Sequence, residues 1–428
     1  MNKLSRKNLL LVGVTLFSMF FGAGNLIFPP FLGAQAGTNT WPAMFGFALS
    51  AIGLPVLGVL AVALSGGLPE LSKRVGPRFS AIFTLLIYLS IGPCLAIPRT
   101  ASTSFAVAVA PFAGSGLLLR VVYAFVFFTI AFVIALKPEK ISSVLGRITG
   151  PLLLLLIFVI VAACIINPIG DYGQAHEIYM ENSIARGFID GYQTMDAIAA
   201  LNFGIVIAIN IKNKGVTDEK NIVSTTIKAG FIAGAVLLLV YASLAHIGAM
   251  AGGSYSEAAD GTQILIWISM YQFGTAGTVI LGAVFFIACI NTCIGLLSCC
   301  GTYFNTLYSK ISVKQWVFIF AVISFLISIA GLDMILKISV PVLGMIYPVA
   351  IVLIIMGIFH EKIENLHLAY FWCVLFTGIV SVMVQLGICT NFFVNYMPLY
   401  SMGLPWIVPA IIGFIIGAIL SFIFPKRA

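Results

Sequence analysis

A chain of 428 residues that is 61% hydrophobic and only 8% charged carries more apolar surface than one water-facing globule can bury, because soluble domains carry about a quarter charged residues. The solvent for most of it is lipid. The net charge of +8 is spread over short segments between apolar runs, which excludes a nucleic-acid footprint, and no polar stretch longer than about 25 residues leaves room for a separate soluble catalytic domain.

Apolar runs of about 20 residues predict an all-α polytopic protein, a single transmembrane domain over 1–428. Twelve spans are expected, at 9–36, 42–65, 79–110, 117–136, 148–166, 188–211, 226–250, 274–307, 315–331, 335–358, 368–390 and 405–424. The start, with Lys3, Arg6 and Lys7 before an apolar run and Ala34-Gln35-Ala36 after it, has the outline of a cleavable signal peptide. The run is too long for that, is interrupted in its middle, and precedes eleven further spans.

Twelve spans put both termini on one face, and the charges say which. Lys3, Arg6, Lys7, Lys73, Arg74, Arg78, Lys137, Lys140, Arg147, Lys212, Lys214, Lys220, Lys228, Lys310, Lys314, Lys362, Lys426 and Arg427 fall on the terminal face, 18 of the 22 basic residues. Arg120, Arg186 and Lys337 fall opposite, and Arg99 lies within a span. The positive-inside rule then predicts cytoplasmic termini in a bacterial inner membrane.

Two spans are interrupted. The first reads Phe21-Gly22-Ala23-Gly24-Asn25, then Pro29-Pro30, so helix propensity drops mid-membrane and freed backbone groups need a partner other than lipid. The sixth, from Gly187 to Asn202, is the most polar of the spans and carries Asp190, Gln193, Thr194 and Asp196. Close helix packing explains one glycine-rich break. Two breaks five spans apart predict more: an odd offset inverts the second copy, giving antiparallel repeats over about 8–166 and 187–358, with extra helices over about 368–424. Broken helices 1 and 6 then cross at the midplane, where half-helix ends and unwound carbonyls hold substrate and ion.

Elsewhere, span 3 carries Ile91-Gly92-Pro93 and Ala96-Ile97-Pro98-Arg99-Thr100, a kink with an arginine at membrane depth, and span 8 carries Asn291 and Thr292. Between spans 7 and 8, residues 264–268 are apolar but too short to span, which suits a lid or an interfacial piece anchored by Trp267 and Tyr271. The eight cysteines lie in or beside apolar runs without CxxC pairs or histidine neighbours, and read as packing residues; Cys289 and Cys293, one turn apart, do not close a zinc site. An embedded enzyme is disfavoured, since no HExxH occurs and His246 stands alone in span 7 while His176, His360 and His367 lie in loops or at span ends.

On the segments Phe21 to Pro30, Ile91-Gly92-Pro93 with Ala96 to Thr100, and Gly187 to Ala200, the chain resembles the bacterial branched-chain amino acid:cation symporters, the system II carriers for leucine, isoleucine and valine. The resemblance runs over essentially the whole chain. It implies the five-plus-five inverted-repeat (LeuT-type) fold of the amino acid, polyamine and organocation superfamily with two extra helices, and cation-coupled uptake with no cofactor. The resemblance implies sodium ahead of protons as the coupling ion, and a branched-chain amino acid, that cation and membrane lipid as the partners. Only Asp190 and Asp196 are available inward, which counts against a polyamine cargo.

In such a carrier the substrate is expected at Gly22, Ala23, Gly24, Asn25, Tyr192, Thr194, Met195 and Asp196, with amides near Gly24 and Asn25 for the carboxylate and exposed carbonyls of spans 1 and 6 for the ammonium. Leu26 and residues 88–95 join Tyr192 and Met195 as expected lining of a dry side-chain pocket. Asp196 is too costly to leave charged and alone: it pairs with Arg99, is protonated, or ligates the cation or the ammonium. By resemblance to the fold, the cation lies between the carbonyls of Ser18 and Phe21 and the residues Ala288, Asn291 and Thr292. Asn291 departs from the hydroxyl residue that relatives of this fold often carry there.

Overall fold

The computed structural model describes residues 4–137, 141–255 and 260–424. Of the basic residues above, Lys3, Lys140, Lys426 and Arg427 lie outside them. Among the described residues the secondary structure is helical, with no strand. Seven continuous helical stretches are long and apolar enough to cross a membrane: Ala23–Ser65, Pro77–Ala108, Leu117–Ala135, Leu145–Ile166, Glu219–Gly252, Thr275–Leu307 and Leu332–Ile358. Two bent pairs, Asp196–Gly204 with Val206–Asn213 and Ala369–Gln385 with Thr390–Tyr396, raise the number to nine. Val313–Ser328 and Ile407–Ile423 are apolar but shorter, and Arg6–Phe20 precedes the break in the first span. The expected spans fall mainly on helix, and the chain is a multi-pass membrane protein.

The first span is two helices, Arg6–Phe20 and Ala23–Ala36, separated by extended backbone at Phe21 and Gly22. The sixth is also two, Glu177–Tyr192 and Asp196–Asn213, so it begins well before the expected residue 188. Hydropathy hides that first half because Glu181, Asn182, Arg186 and Asp190 lie in it. The Asp190 carboxylate is matched internally, accepting from Arg186 Nη2 at 3.0 Å and from the Tyr179 hydroxyl at 2.5 Å.

Packing repeats across the two halves of the chain. Both halves of span 1 lie along span 7, Glu219–Gly252, and both halves of span 6 lie along span 2, Thr40–Ser65. Exchanging each partner for its counterpart five spans away, span 1 for span 6 and span 7 for span 2, turns the first arrangement into the second, which is the relation an inverted repeat demands. Spans 3 and 8 pack on each other, with spans 4 and 9 against them, as a second group beside this bundle. The expected lid or interfacial piece is the helix Gly261–Phe273, which buries Ile264, Leu265 and Ile268 and lies across the second half of span 1.

In hydrocarbon the hydrophobic effect does not drive helices together, so close backbone approach through small residues carries much of the association. Gly248 of span 7 meets the chain at Pro30, where an added Cβ would lie 2.1 Å from the carbonyl oxygen, and Gly187 of span 6 meets Ala43, where the distance would be 1.9 Å. Gly248→Ala is expected to lower the melting temperature or the folded yield of detergent-solubilised protein, because forced backbone shifts cost about 1–3 kcal/mol or more. Gly53→Ala, where the nearest atom lies 3.7 Å away, is expected to be neutral or stabilising by up to about 1 kcal/mol. Equal melting temperatures for the two variants would remove the close approach as a constraint.

Candidate functional site

At the first break the Phe21 amide still donates to the Phe17 carbonyl at 2.8 Å, but the ladder stops there. The Gly22 amide donates instead to Asn25 Oδ1 at 3.0 Å, which releases the Ser18 carbonyl from its helical partner and caps the start of the next half-helix. That half-helix presents its first amides, the positive end of a helix dipole, to the protein interior.

The second break is tighter. Gln193, Thr194 and Met195 amides donate to the Asp190, Gly191 and Tyr192 carbonyls in successive turns. Met195 then adopts a left-handed conformation with φ 68°, rare for a residue with a side chain and locally strained. Asp196 follows as the first residue of the next half-helix, where a carboxylate suits the dipole.

The two breaks touch. Asn25 Nδ2 donates to Asp196 Oδ2 at 2.5 Å, the Tyr241 hydroxyl of span 7 donates to the same oxygen at 2.8 Å, and Asn25 Nδ2 also approaches the Tyr241 oxygen. Asn25 and Asp196 are each 1% exposed and Tyr241 is fully buried. One amide thus closes its own break through its oxygen and binds the other break through its nitrogen.

Between the breaks lies a cavity of about 20 Å³, room for one water. Gly22, Ala23, Gly24, Asn25, Thr194, Met195 and Asp196 all line it, together with Arg99 and Thr292. Tyr192 does not: it stacks on Tyr347, ring centroids 4.5 Å apart. Leu26 is buried away from the cavity, and of the expected span 3 face only Ile91 reaches it. The apolar wall is made mainly by Met19, Phe20, Ala199 and Leu296. Arg99 closes no ion pair with Asp196; among the described residues ion pairs form at Lys73–Glu70 and Arg186–Asp190. Arg99 Nη1 donates instead to the Gln193 carbonyl at 3.0 Å, an acceptor freed by the break.

Spans 1 and 8 meet where the cation residues are expected. A Cβ on Gly22 would lie 2.7 Å from the Thr292 hydroxyl, and that hydroxyl has no hydrogen-bond partner. Ser18 and Ala288 are fully buried nearby in the same two helices. Asn291 turns away from Thr292, since consecutive residues on a helix point about 100° apart. Its Oδ1 accepts from the Thr149 hydroxyl of span 5 at 2.8 Å, and the Ser18 hydroxyl donates to the span 5 carbonyl of Leu145 at 3.3 Å. Span 5 is thus hydrogen-bonded to both span 1 and span 8, where contact between spans 1 and 8 alone was expected.

Tyr241, Tyr347 and Thr149 are absent from the expected set. A tyrosine or threonine inside an apolar run is ordinary in sequence, and its partner lies far along the chain.

The family described as "Branched-chain amino acid transport protein" matches residues 5–423. The chain is 39% identical to the branched-chain amino acid permease BraB of Bacillus subtilis over 98% of this chain and 97% of that one. It is 38% identical to the permease BrnQ of Corynebacterium glutamicum, covering 97% and 95%, and 34% identical to BrnQ of Escherichia coli, covering 98% and 96%. Among solved structures it resembles Mhp1, a nucleobase-cation-symport-1 family transporter, with a TM-score of 0.64 at 12% identity over 97% of this chain and 92% of that one. A Na+-coupled sialic acid symporter gives 0.61 at 15% identity over 98% and 91%. These two carry the fold alone.

Tyr241→Phe keeps the ring contacts with Phe21 and Phe47 and deletes the hydroxyl. It is expected to destabilise the folded protein by about 1–3 kcal/mol, since a buried acceptor loses a donor. The same change made on Asp196→Asn is expected to cost clearly less, a coupling of about 0.5–3 kcal/mol in a thermal-denaturation cycle. Additive losses would mean that this contact does not hold the breaks together.

Proposed function

This chain belongs to the branched-chain amino acid transport protein family, and we propose that it carries leucine, isoleucine or valine into the cell together with a cation, sodium ahead of protons. Its relatives are permeases and carriers, so it is a transporter and not an enzyme. The proposed setting is the bacterial cytoplasmic membrane, with both termini inside.

The observation that carries the reading is the cavity itself. It sits where two interrupted helices cross, with a carboxylate, a guanidinium, free helix-end groups and an apolar wall around one small space. A zwitterion must shed water around two charges at membrane depth, and the freed amides and carbonyls supply both signs. A space of about 20 Å³ is too small for leucine, so loading requires the walls to part, as alternating access supposes.

For sodium, the support is the apposition of Gly22 and the unpartnered Thr292 hydroxyl beside the released Ser18 carbonyl. A hard cation wants several oxygens, and the proposed ligands are the carbonyls of Ser18, Phe21 and Ala288 with the Thr292 hydroxyl; the Asn291 side chain, expected among them, is held by Thr149 instead. Because such an ion would join span 1 to span 8, it and the substrate would favour one another by about 1–3 kcal/mol.

Uptake of labelled leucine into proteoliposomes, under an imposed sodium or proton gradient, tests this. Uptake is expected to follow sodium. Thr292→Val is expected to raise the sodium concentration for half-maximal uptake several-fold, with a smaller effect on leucine affinity at saturating sodium. Gly24→Leu is expected to abolish leucine binding in folded, inserted protein, and Asp196→Asn to impair transport more than expression. Uptake that ignores sodium and follows the proton gradient would discard the sodium site and make Asp196 the leading coupling residue.

A further inference from the structure

Arg99 is 3% exposed and lies in the helix Ala96–Ala108 of span 3. A guanidinium stays charged and offers five N–H donors. Of these, one hydrogen bond is accounted for, to the Gln193 carbonyl, while Nε has no partner. Nη2 lies against the first break, where a Cβ on Gly24 would come within 2.8 Å of it. No described carboxylate pairs with it. A buried, underbonded, unpaired cation is costly, and such a group marks a place where an anion belongs.

Asp196 is not that anion, because its carboxylate is already held by Asn25 and Tyr241. We infer that Arg99 is the carboxylate-binding group of the substrate site: its guanidinium takes the substrate α-carboxylate beside the first amides of the half-helix Ala23–Ala36. This rests on the reading that the chain carries an amino acid, and it adds how the site recognises one. Gly24 has a part in it, since any side chain there would push the guanidinium off the helix end. The substrate ammonium then lies toward Asp196, and its aliphatic chain toward Met19, Ile91 and Leu296, which line the same cavity.

The rival role for Arg99 is to cap the Gln193 carbonyl and do nothing else. The two roles separate when ligands with and without a carboxylate are compared, using ligand-induced shifts in melting temperature of purified protein in saturating sodium. Leucine, leucinamide and 3-methylbutylamine serve as probes. In the unmodified protein, removing the carboxylate is expected to weaken binding about a hundredfold or more, the range for losing a charge-assisted bidentate contact in a buried site. In Arg99→Gln, which retains a donor for the Gln193 carbonyl, leucine is expected to weaken by at least about tenfold while leucinamide changes little, so that the preference collapses. Arg99→Lys keeps the charge without the fork and is expected to fall between. A capping role predicts equal weakening of all three probes, and that result would overturn the assignment.

The unmodified protein tests the assignment even if Arg99→Gln does not fold, because leucinamide binding as tightly as leucine would also overturn it. Absence of leucine binding in the unmodified protein would sink the amino acid reading and this inference together. Leucine binding with an unchanged preference in Arg99→Gln would sink this inference alone.

Discussion

The fold depends on the hydrogen bonds that Asn25 makes across two interrupted helices. A break at membrane depth frees amides and carbonyls that lipid cannot satisfy, each at a cost of several kcal/mol. Asn25 addresses both breaks with one side chain: its oxygen takes the Gly22 amide, and its nitrogen reaches Asp196 at the start of the second half of span 6. Tyr241 then anchors the same carboxylate to span 7. Remove the amide, and one break loses its cap while the other loses a donor. An aspartate at position 25 would set two carboxylates face to face.

That contact makes one body of spans 1, 2, 6 and 7, since each broken helix also lies along its own unbroken partner. Spans 3 and 8, with 4 and 9, form the other group. The cavity falls at the seam: Gly22, Asn25 and Asp196 come from the first group, and Ile91, Arg99, Thr292 and Leu296 from the second. A ligand held there touches both. Its binding free energy therefore differs between arrangements of the two groups, which is the condition for a ligand to shift a conformational equilibrium.

Much of this was legible in the sequence, for physical reasons that also mark where legibility stops. Gly22, Gly24 and Asn25 inside an apolar run, and Asp196 inside another, contradict their surroundings strongly enough to reveal both breaks, and the odd offset between them gives the inversion. The first half of span 6 was missed because its polar residues satisfy one another locally, as Arg186, Asp190 and Tyr179 do, which a hydropathy reading counts as loop. Facing was not legible either. Tyr192 and Met195 are three residues apart, yet the left-handed turn at Met195 sends them to different places, one onto Tyr347 and one into the cavity. Asn291 and Thr292 are neighbours in sequence but serve spans 5 and 1 respectively, because adjacent helical residues do not share a face.

The separation of Arg99 from Asp196 follows from the same two-group architecture. These residues stand on opposite sides of the seam, and the sequence invites a salt bridge between them. Breaking such a buried pair by losing a partner costs about 3–5 kcal/mol, so a direct bridge would pin the groups in one arrangement. The carboxylate is instead satisfied within its own group, by Asn25 and Tyr241, and the guanidinium crosses the seam only to one carbonyl, at Gln193. A single hydrogen bond of that kind contributes about 1–3 kcal/mol, little enough to be exchanged for a ligand. The seam is left openable, with a guanidinium and a carboxyl group facing a space that a zwitterion can bridge.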